Sequence, residues 1–387
     1  MFLGFGRSKL WLIAITIISL LLIWQSINIS ASKINVYSQS SEEGSESSSQ
    51  HSYYVSRTGD NTDGLSWDTA WSELDQIDWS VVKPGDVIYL DGGETQMIYE
   101  TEMYIDQSGT EEQPIYIQRS TEPEHNGQVV FFGGREVGLP YCGQTDYDTS
   151  KEDSIREYGI RIHQDAHIII DGMDWSGIVI HGYRRNGIRL DTDVANITMR
   201  HLDIYNNGAL QYRDDELRSD SPGIRLGGGN ITVQRTLIHD NGQDAMQGVW
   251  KATDAPLNLL IEQSWFYNER RHPTVDESFN WCTHSDALQI FTGGITSGIT
   301  IKESIMGPGF TNTLIWGDQW ADIVDVLIED TLIVKGADNN ITGHSSITDM
   351  HNWTLNRVTL HCPNTKYTCL YMHNSDHSIT NSVIVGS

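Results

Sequence analysis

The chain has 387 residues, 38% of them hydrophobic, with 52 acidic against 25 basic side chains and a formal charge of −27. That length suits two domains or one elongated repeat domain with a large core. So acidic a balance excludes a nucleic-acid partner, which needs a basic footprint, and allows a polyanionic ligand only where a local basic site or bridging cations receive it.

The N-terminus reads MFLGFGRSKLWLIAITIISLLLIWQSINISASK, with Arg7 and Lys9 ahead of an apolar run from Leu10 to Trp24. This is the pattern of an export signal. Residues 1–32 serve either as a cleaved signal peptide, with Ser30 and Ser32 as a small-x-small site, or as a membrane signal-anchor with Trp11 and Trp24 at the two interfaces. Either role places the rest of the chain outside the cytoplasm, secreted or held at the cell surface. Residues 33–52 include QSSEEGSESSSQHS, too poor in apolar side chains to fold, and read as a disordered linker.

The folded part begins at Tyr53. From there to Gly93 the sequence predicts a first strand, a Gly/Asn/Asp loop, a short helix near Asp68 to Ile77, and a Pro84-Gly85-Asp86 turn into the next strand. From His167 onward the chain repeats itself. HIIIDGMDW, NITMRHLDI, NITVQRTLI, NLLIEQSWF, GITIKESIM, DVLIEDTLI, NWTLNRVTL and DHSITNSVI start at positions 167, 196, 230, 258, 298, 325, 352 and 376. Each alternates apolar and polar residues, breaks briefly, and adds a further apolar pair, which is strand and not helix periodicity. Units this short cannot bury their own apolar faces and must stack on one another.

Strand, turn and strand in every repeat resemble one coil of the right-handed parallel β-helix proteins of the pectate-lyase-like superfamily. The L-x-x-L-x-L-x-x-N signature of the competing leucine-rich solenoid is absent. The resemblance covers residues 53–387 and implies an all-β, single-stranded right-handed parallel β-helix with a short N-terminal capping helix. Residues 53–140 would form the cap and first coils, and residues 158–387 the regular coils. No C-terminal cap is visible before Ser387, so either the chain continues or its last rung pairs with another element. A monomer is expected.

A later strand of each repeat carries the polar signal. YGIRI from Tyr158, NGIRL from Asn186, PGIRL from Pro222, DAMQG from Asp244 and DALQI from Asp286 align on successive rungs. With Ile160, Ile188, Ile224, Met246 and Leu288 inward, alternation turns Arg161, Arg189, Arg225, Gln247 and Gln289 outward as a ladder at about 4.8 Å spacing. Stacked guanidiniums repel unless an anion lies across them. The structural source of that anion is local, with Asp191 on the same face as Arg189; the functional source is the carboxylate or sulfate of a bound glycan. Two insertions, Asn207 to Ser221 and Asn268 to Ser285, precede the same strand and would wall a groove. The aromatic residues Tyr212, Trp250, Trp281 and Trp316 suit sugar rings as well as packing.

NWCTHSDALQIF, from Asn280, puts His284, Asp286 and Gln289 within six residues, and Asp244 and Gln247 echo that spacing one rung back. Paired carboxylates at rung spacing divide acid and base work in glycosidases or hold Ca²⁺, with His284 and His239 as flanking bases and the glutamines binding substrate hydroxyls. Their plain alternative is turn-capping, with each Asp bonded to backbone N–H groups. The resemblance to polysaccharide lyases implies β-elimination on an acidic polysaccharide. Arg225 and Arg189 would neutralise the uronate, His284 would act as base, and Asp244 and Asp286 would orient it or bind Ca²⁺. A glycoside hydrolase using the Asp pair and a non-catalytic carbohydrate-binding or adhesion protein are the alternatives.

Four cysteines suit an oxidising compartment, with Cys362–Cys369 the expected disulfide and Cys142–Cys282 a second pairing. The sequons at Asn196, Asn230 and Asn352 open repeats, where Asn and Thr are favoured for structural reasons. GHSS at Gly343 resembles the Gly-His-Gly element of β-helix polygalacturonases, but the accompanying Asp-Asp and Arg-Ile-Lys elements are missing from the matching order.

Overall fold

The computed structural model describes residues 50–387 apart from 136–148, 209, 214–215, 220, 251–255, 268–284, 293–294, 311–314, 318–321, 335–349, 363–369, 371–375 and 387. Residues 50–387 form one compact unit. Among the described residues the chain builds three parallel sheets of eleven, ten and seven strands. One coil passes through all three: Ile168–Asp171 lies in the first sheet, Ile178–His181 in the second and Asn186–Leu190 in the third. Ile197–Arg200 then returns to the first sheet in register with Ile168–Asp171. This is the parallel β-helix that the repeats imply.

Two recurrent left-handed residues explain why the repeats look as they do. His167, Asn196, Asn230, Asn258, Gly298, Asp325 and Asn352 all have φ between 45° and 77°, so each repeat opens on a bend that Asn, Asp and Gly tolerate best. Where Asn holds this position its amide also bonds the neighbouring coil: Asn230 Nδ2 donates to Asn196 Oδ1 at 3.0 Å and Asn258 Nδ2 to Asn230 Oδ1 at 2.8 Å. Asn352 Nδ2 donates likewise to Asp325 Oδ1. The sequons that open repeats therefore have a structural use for their amides.

The break inside each repeat is a second such bend, at His201, Arg235, Gln263, Glu303, Asp330 and Arg357, with φ from 47° to 60°. Here a hydroxyl follows at Thr236, Ser264, Ser304 and Thr331, and ties adjacent coils together. Thr236 N–H donates to Ser264 Oγ at 3.2 Å and Ser264 N–H to Ser304 Oγ at 3.1 Å.

The core is a stack of aliphatic side chains. Ile117, Ile170, Met199, Val233, Ile261, Ile301, Ile328 and Leu355 follow one another in register in the first sheet, each at most 4% exposed. The short capping helix expected between Asp68 and Ile77 is a single 3-10 turn, Leu74–Gln76. Trp71 instead runs extended beside Val55, stacked 5.2 Å from Tyr53, and with Leu74 it buries the N-terminal end of the core. At the other end Ile379 and Ile384 are 44% and 49% exposed, against 4% and 3% for Leu355 and Leu360, their register partners one coil earlier.

Residues 1–32, read as a signal peptide or anchor, lie outside the described residues. Among those described, no helix is long and apolar enough to cross a membrane.

Candidate functional site on the third sheet

Register places the predicted column on one face of the third sheet. Tyr104 pairs with Arg161, Arg161 with Arg189, Arg189 with Arg225, Arg225 with Gln247, Gln247 with Gln289, and Gln289 with Trp316. Inward, Met103, Ile160, Ile188, Ile224, Met246 and Leu288 are fully buried. The small residue ahead of each inward aliphatic has a steric cause. A Cβ on Gly159 would sit 2.4 Å from the Ile180 methyl, and one on Gly187 2.5 Å from that of Ile204. Ala245 and Ala287 hold the same position further along, fully buried.

The column has an open end and a closed end. At the open end Tyr104 is 41% exposed, and the side chains of Arg161 and Arg189 keep about a third of their surface. The anion that neighbouring guanidiniums require is Asp191. Its Oδ2 accepts from Arg161 Nε at 3.0 Å and Nη2 at 2.7 Å, and its Oδ1 from Arg189 Nε at 2.7 Å. His163 Nδ1 lies 2.8 Å from the same carboxylate. Partial burial alone would raise the Asp191 pKa, but the bonds from Arg161, Arg189 and His163 outweigh it and hold the carboxyl at about 2. Aromatic rings order the guanidiniums further. That of Arg161 lies 5.6 Å from the Tyr104 centroid and 5.5 Å from that of Tyr158, and that of Arg189 lies 5.4 Å from Tyr158. The local, structural source of the counter-ion is thus realised for Arg161 and Arg189.

At the closed end the amides and carboxylates face each other instead of solvent. Gln247 and Gln289 are 4% and 3% exposed, and Asp244 and Asp286 are fully buried. Arg225 Nη1 donates to Gln247 Oε1 at 2.7 Å; Gln247 Nε2 donates to Asp244 Oδ2 at 3.0 Å and to Gln289 Oε1 at 2.8 Å. Asp244 Oδ1 accepts the backbone N–H of Asp286 at 2.8 Å. Asp244 is therefore a turn-capping residue that ties two rungs together, and Gln247 is saturated by protein partners. The Asp pair does not by itself make a calcium site, which takes six to eight oxygens. Among the described residues no group of three or more His, Cys, Asp or Glu side chains is arranged to hold a metal ion.

Of the remaining expected residues, His284 and the aromatic Trp281 lie outside the described residues. Trp250 ends the strand Met246–Trp250, and Trp316 is central in Ile315–Gly317. The insertion Asn207 to Ser221 carries an antiparallel hairpin, Leu210–Arg213 with Glu216–Ser219. Cys362 is buried and disulfide-bonded; Cys369, its expected partner, lies outside the described residues, as do Cys142 and Cys282.

His239 is not a base beside Asp244. It stands on the second sheet in a stack of rings, 5.1 Å from Tyr205 and 4.6 Å from Tyr267, with Nε2 3.0 Å from Asp203 and Nδ1 2.8 Å from Asp240. Burial opposes its charge, but bonds to the two carboxylates prevail and raise its pKa to about 9. A group already protonated at neutral pH cannot take a proton there.

Sequence reasoning missed Tyr104 and His163. The strand Met103–Ile105 lies more than fifty residues before its neighbour Tyr158–Ile162 and lacks the Gly-Ile-Arg pattern that marked the others.

The stacked coils, with a polar column along the third sheet, define a parallel β-helix fold. Among solved structures, the chain is similar to a rhamnogalacturonan lyase, with a TM-score of 0.51 at 13% identity over 81% of this chain and 74% of that one. It also matches an alginate lyase from Paenibacillus sp. str. FPU-7, with a TM-score of 0.48 at 17% identity over 81% and 93% of the two chains. Identities this low speak to the fold alone. No protein-family model matches the sequence. No curated protein matches it either.

Proposed function

We propose that the protein is an exported, polysaccharide-active β-helix protein whose third sheet receives an acidic glycan and cleaves it by β-elimination. The observation that carries this reading is the in-register column Tyr104–Arg161–Arg189–Arg225, a cationic and aromatic strip on a chain of otherwise strongly acidic composition. Such a strip concentrates a polyanion where the rest of the surface repels it. One fold neighbour is named as a rhamnogalacturonan lyase, which favours lyase chemistry here, while others are named as a lacto-N-biosidase and an alpha-1,3-glucanase.

In this mechanism Arg225 and Arg189 neutralise the uronate carboxylate, which acidifies the adjacent C5 proton. His284 removes that proton, the C4–oxygen bond breaks with its electron pair staying on the glycosidic oxygen, that oxygen takes a proton from solvent water, and the C4–C5 double bond forms. Asp244 and Asp286 tie their two rungs together and touch no substrate. A bridging Ca²⁺ is not needed for charge neutralisation in this scheme, and a chelator arm tests whether one takes part.

The assay is direct. The full-length chain is incubated with uronate polysaccharides and neutral glycans, with and without chelator, following ultraviolet absorbance of the unsaturated product alongside reducing-end release. A rise in both that His284→Ala abolishes supports the lyase. Reducing ends without absorbance would replace it with a hydrolase. The burial of Asp244 and Asp286 favours a second reading, binding without cleavage at the cell surface. Tight binding with neither signal is its expected outcome.

A further inference from the structure

Two sets of rings on the outside of the protein have different uses. On the second sheet His181, Tyr205, His239 and Tyr267 stack within 8° to 13° of parallel at 4.6 to 5.1 Å, so each ring spends its faces on its neighbours. Tyr104 differs. Arg161 lies over its ring on one side, with the His163 ring tilted 5.8 Å away, and among the described residues its strand is the last rung of the third sheet at that end. It is nonetheless 41% exposed.

The guanidiniums beside it are also incompletely used. Asp191 takes Nε and Nη2 of Arg161 and Nε of Arg189, and Tyr158 Oη accepts weakly from Arg189 Nη1 at 3.5 Å. Nη1 of Arg161 and Nη2 of Arg189 have no bonding partner among the described residues. One carboxylate shared by two guanidiniums leaves one net positive charge, on groups whose planes the tyrosines already fix. A further carboxylate would meet a preorganised fork and lose little entropy on docking.

We propose that this end of the column is a subsite for a second uronate residue beside the reacting one, whose pyranose ring lies on Tyr104 and whose carboxylate is held by Arg161, leaving Arg189 to the reacting uronate. It rests on the acidic-glycan reading above and adds where a second sugar of the chain sits. The aromatic face binds the ring whatever its charge, while the Arg161 guanidinium reads the acid. Asp191 and His163 position the arginines and do not touch the sugar.

The test is titration calorimetry of the full-length protein with an oligogalacturonate and with the same oligomer methyl-esterified, which keeps the rings and removes the charge. Wild type is expected to prefer the acid. Arg161→Gln should weaken acid binding about tenfold and leave ester binding unchanged, so that most of the preference disappears. Tyr104→Ala should weaken both ligands about fivefold, and Tyr104→Phe should bind as wild type. Both positions are on the surface, and unchanged thermal unfolding of each variant removes folding as an explanation. If Arg161→Gln and Tyr104→Ala bind as wild type while Arg225→Gln loses the acid, the groove stands and this subsite is overturned. If wild type binds no acidic glycan, the functional reading falls and the subsite with it.

Discussion

The two ends of the third-sheet column are built from the same repeat and do opposite things. Around Arg161 and Arg189 the polar atoms are shared between protein and solvent, with one carboxylate serving two guanidiniums and an exposed tyrosine at the edge. Around Asp244, Gln247, Gln289 and Asp286 the polar atoms are nearly all buried and bond one another. A buried polar group that loses its partner retains the cost of desolvation, whereas an exposed one turns to water. The closed end should therefore answer to mutation in stability, and the open end in binding.

The largest expected effect is at Asp244. Asp244→Ala orphans the Asp286 N–H and one donor of Gln247, and should cost about 4 kcal/mol, read as a lower urea midpoint with an unchanged m-value. An unchanged midpoint would sink the view that this carboxylate is a clamp between rungs.

His239 extends the comparison to the second sheet, where a charge is held by two carboxylates. Its pKa rises from 6.5 to about 9 on folding. A raised pKa stabilises fully below the unfolded value and is lost as pH rises through the folded one. Stability should thus fall by about 3 kcal/mol between pH 6.5 and 9. His239→Phe, which keeps the stack and removes the titration, should flatten that window in a series of urea melts. A wild-type curve already flat from pH 6.5 to 9 would refute the assignment. Gln247→Leu comes next, at about 2 kcal/mol, because it removes an acceptor from Arg225 and a donor from Asp244 but keeps the volume. Equal stability of this variant and wild type would show that the amide network is dispensable.

Much of this was legible in the sequence, and the part that was not has a physical cause. Alternation on successive rungs was enough to put Arg161, Arg189, Arg225, Gln247 and Gln289 in one column, because strand side chains have a period of two and a coil returns in register. Asp191 was visible as the local counter-ion because it falls two residues after Arg189 on the same face. Burial was not legible. Whether Gln247 faces water depends on what lies over it, and local spacing carries no such information. Tyr104 was hidden for a related reason, since its strand belongs to the irregular first coils, whose spacing follows the N-terminal cap and not the repeat. The left-handed bends were written in the sequence as the Asn, Asp and Gly that open each repeat, but the second bend sits on His201, Arg235 and Gln263, residue types that do not announce it.

The smallest stability effect, and the sharpest separation of the two ends, is expected at Asp191. Asp191→Asn keeps an oxygen for Arg161 but removes the charge shared with Arg189, and in a partly solvated cluster that should cost only about 1 kcal/mol. In wild type the depressed pKa makes the same point along the pH axis: its stabilisation is present above 3.8 and disappears as pH falls through about 2, so the variant and wild type should converge in acid. Binding moves the other way. With the internal carboxylate gone, two guanidiniums compete for an external one, and affinity for an oligogalacturonate should rise about threefold at low salt, with the gain shrinking as salt is added. If instead Asp191→Asn binds the acid tenfold more weakly, orientation of Arg161 by Asp191 outweighs the charge it cancels, and the open end works as a rigid fork more than as a patch of potential.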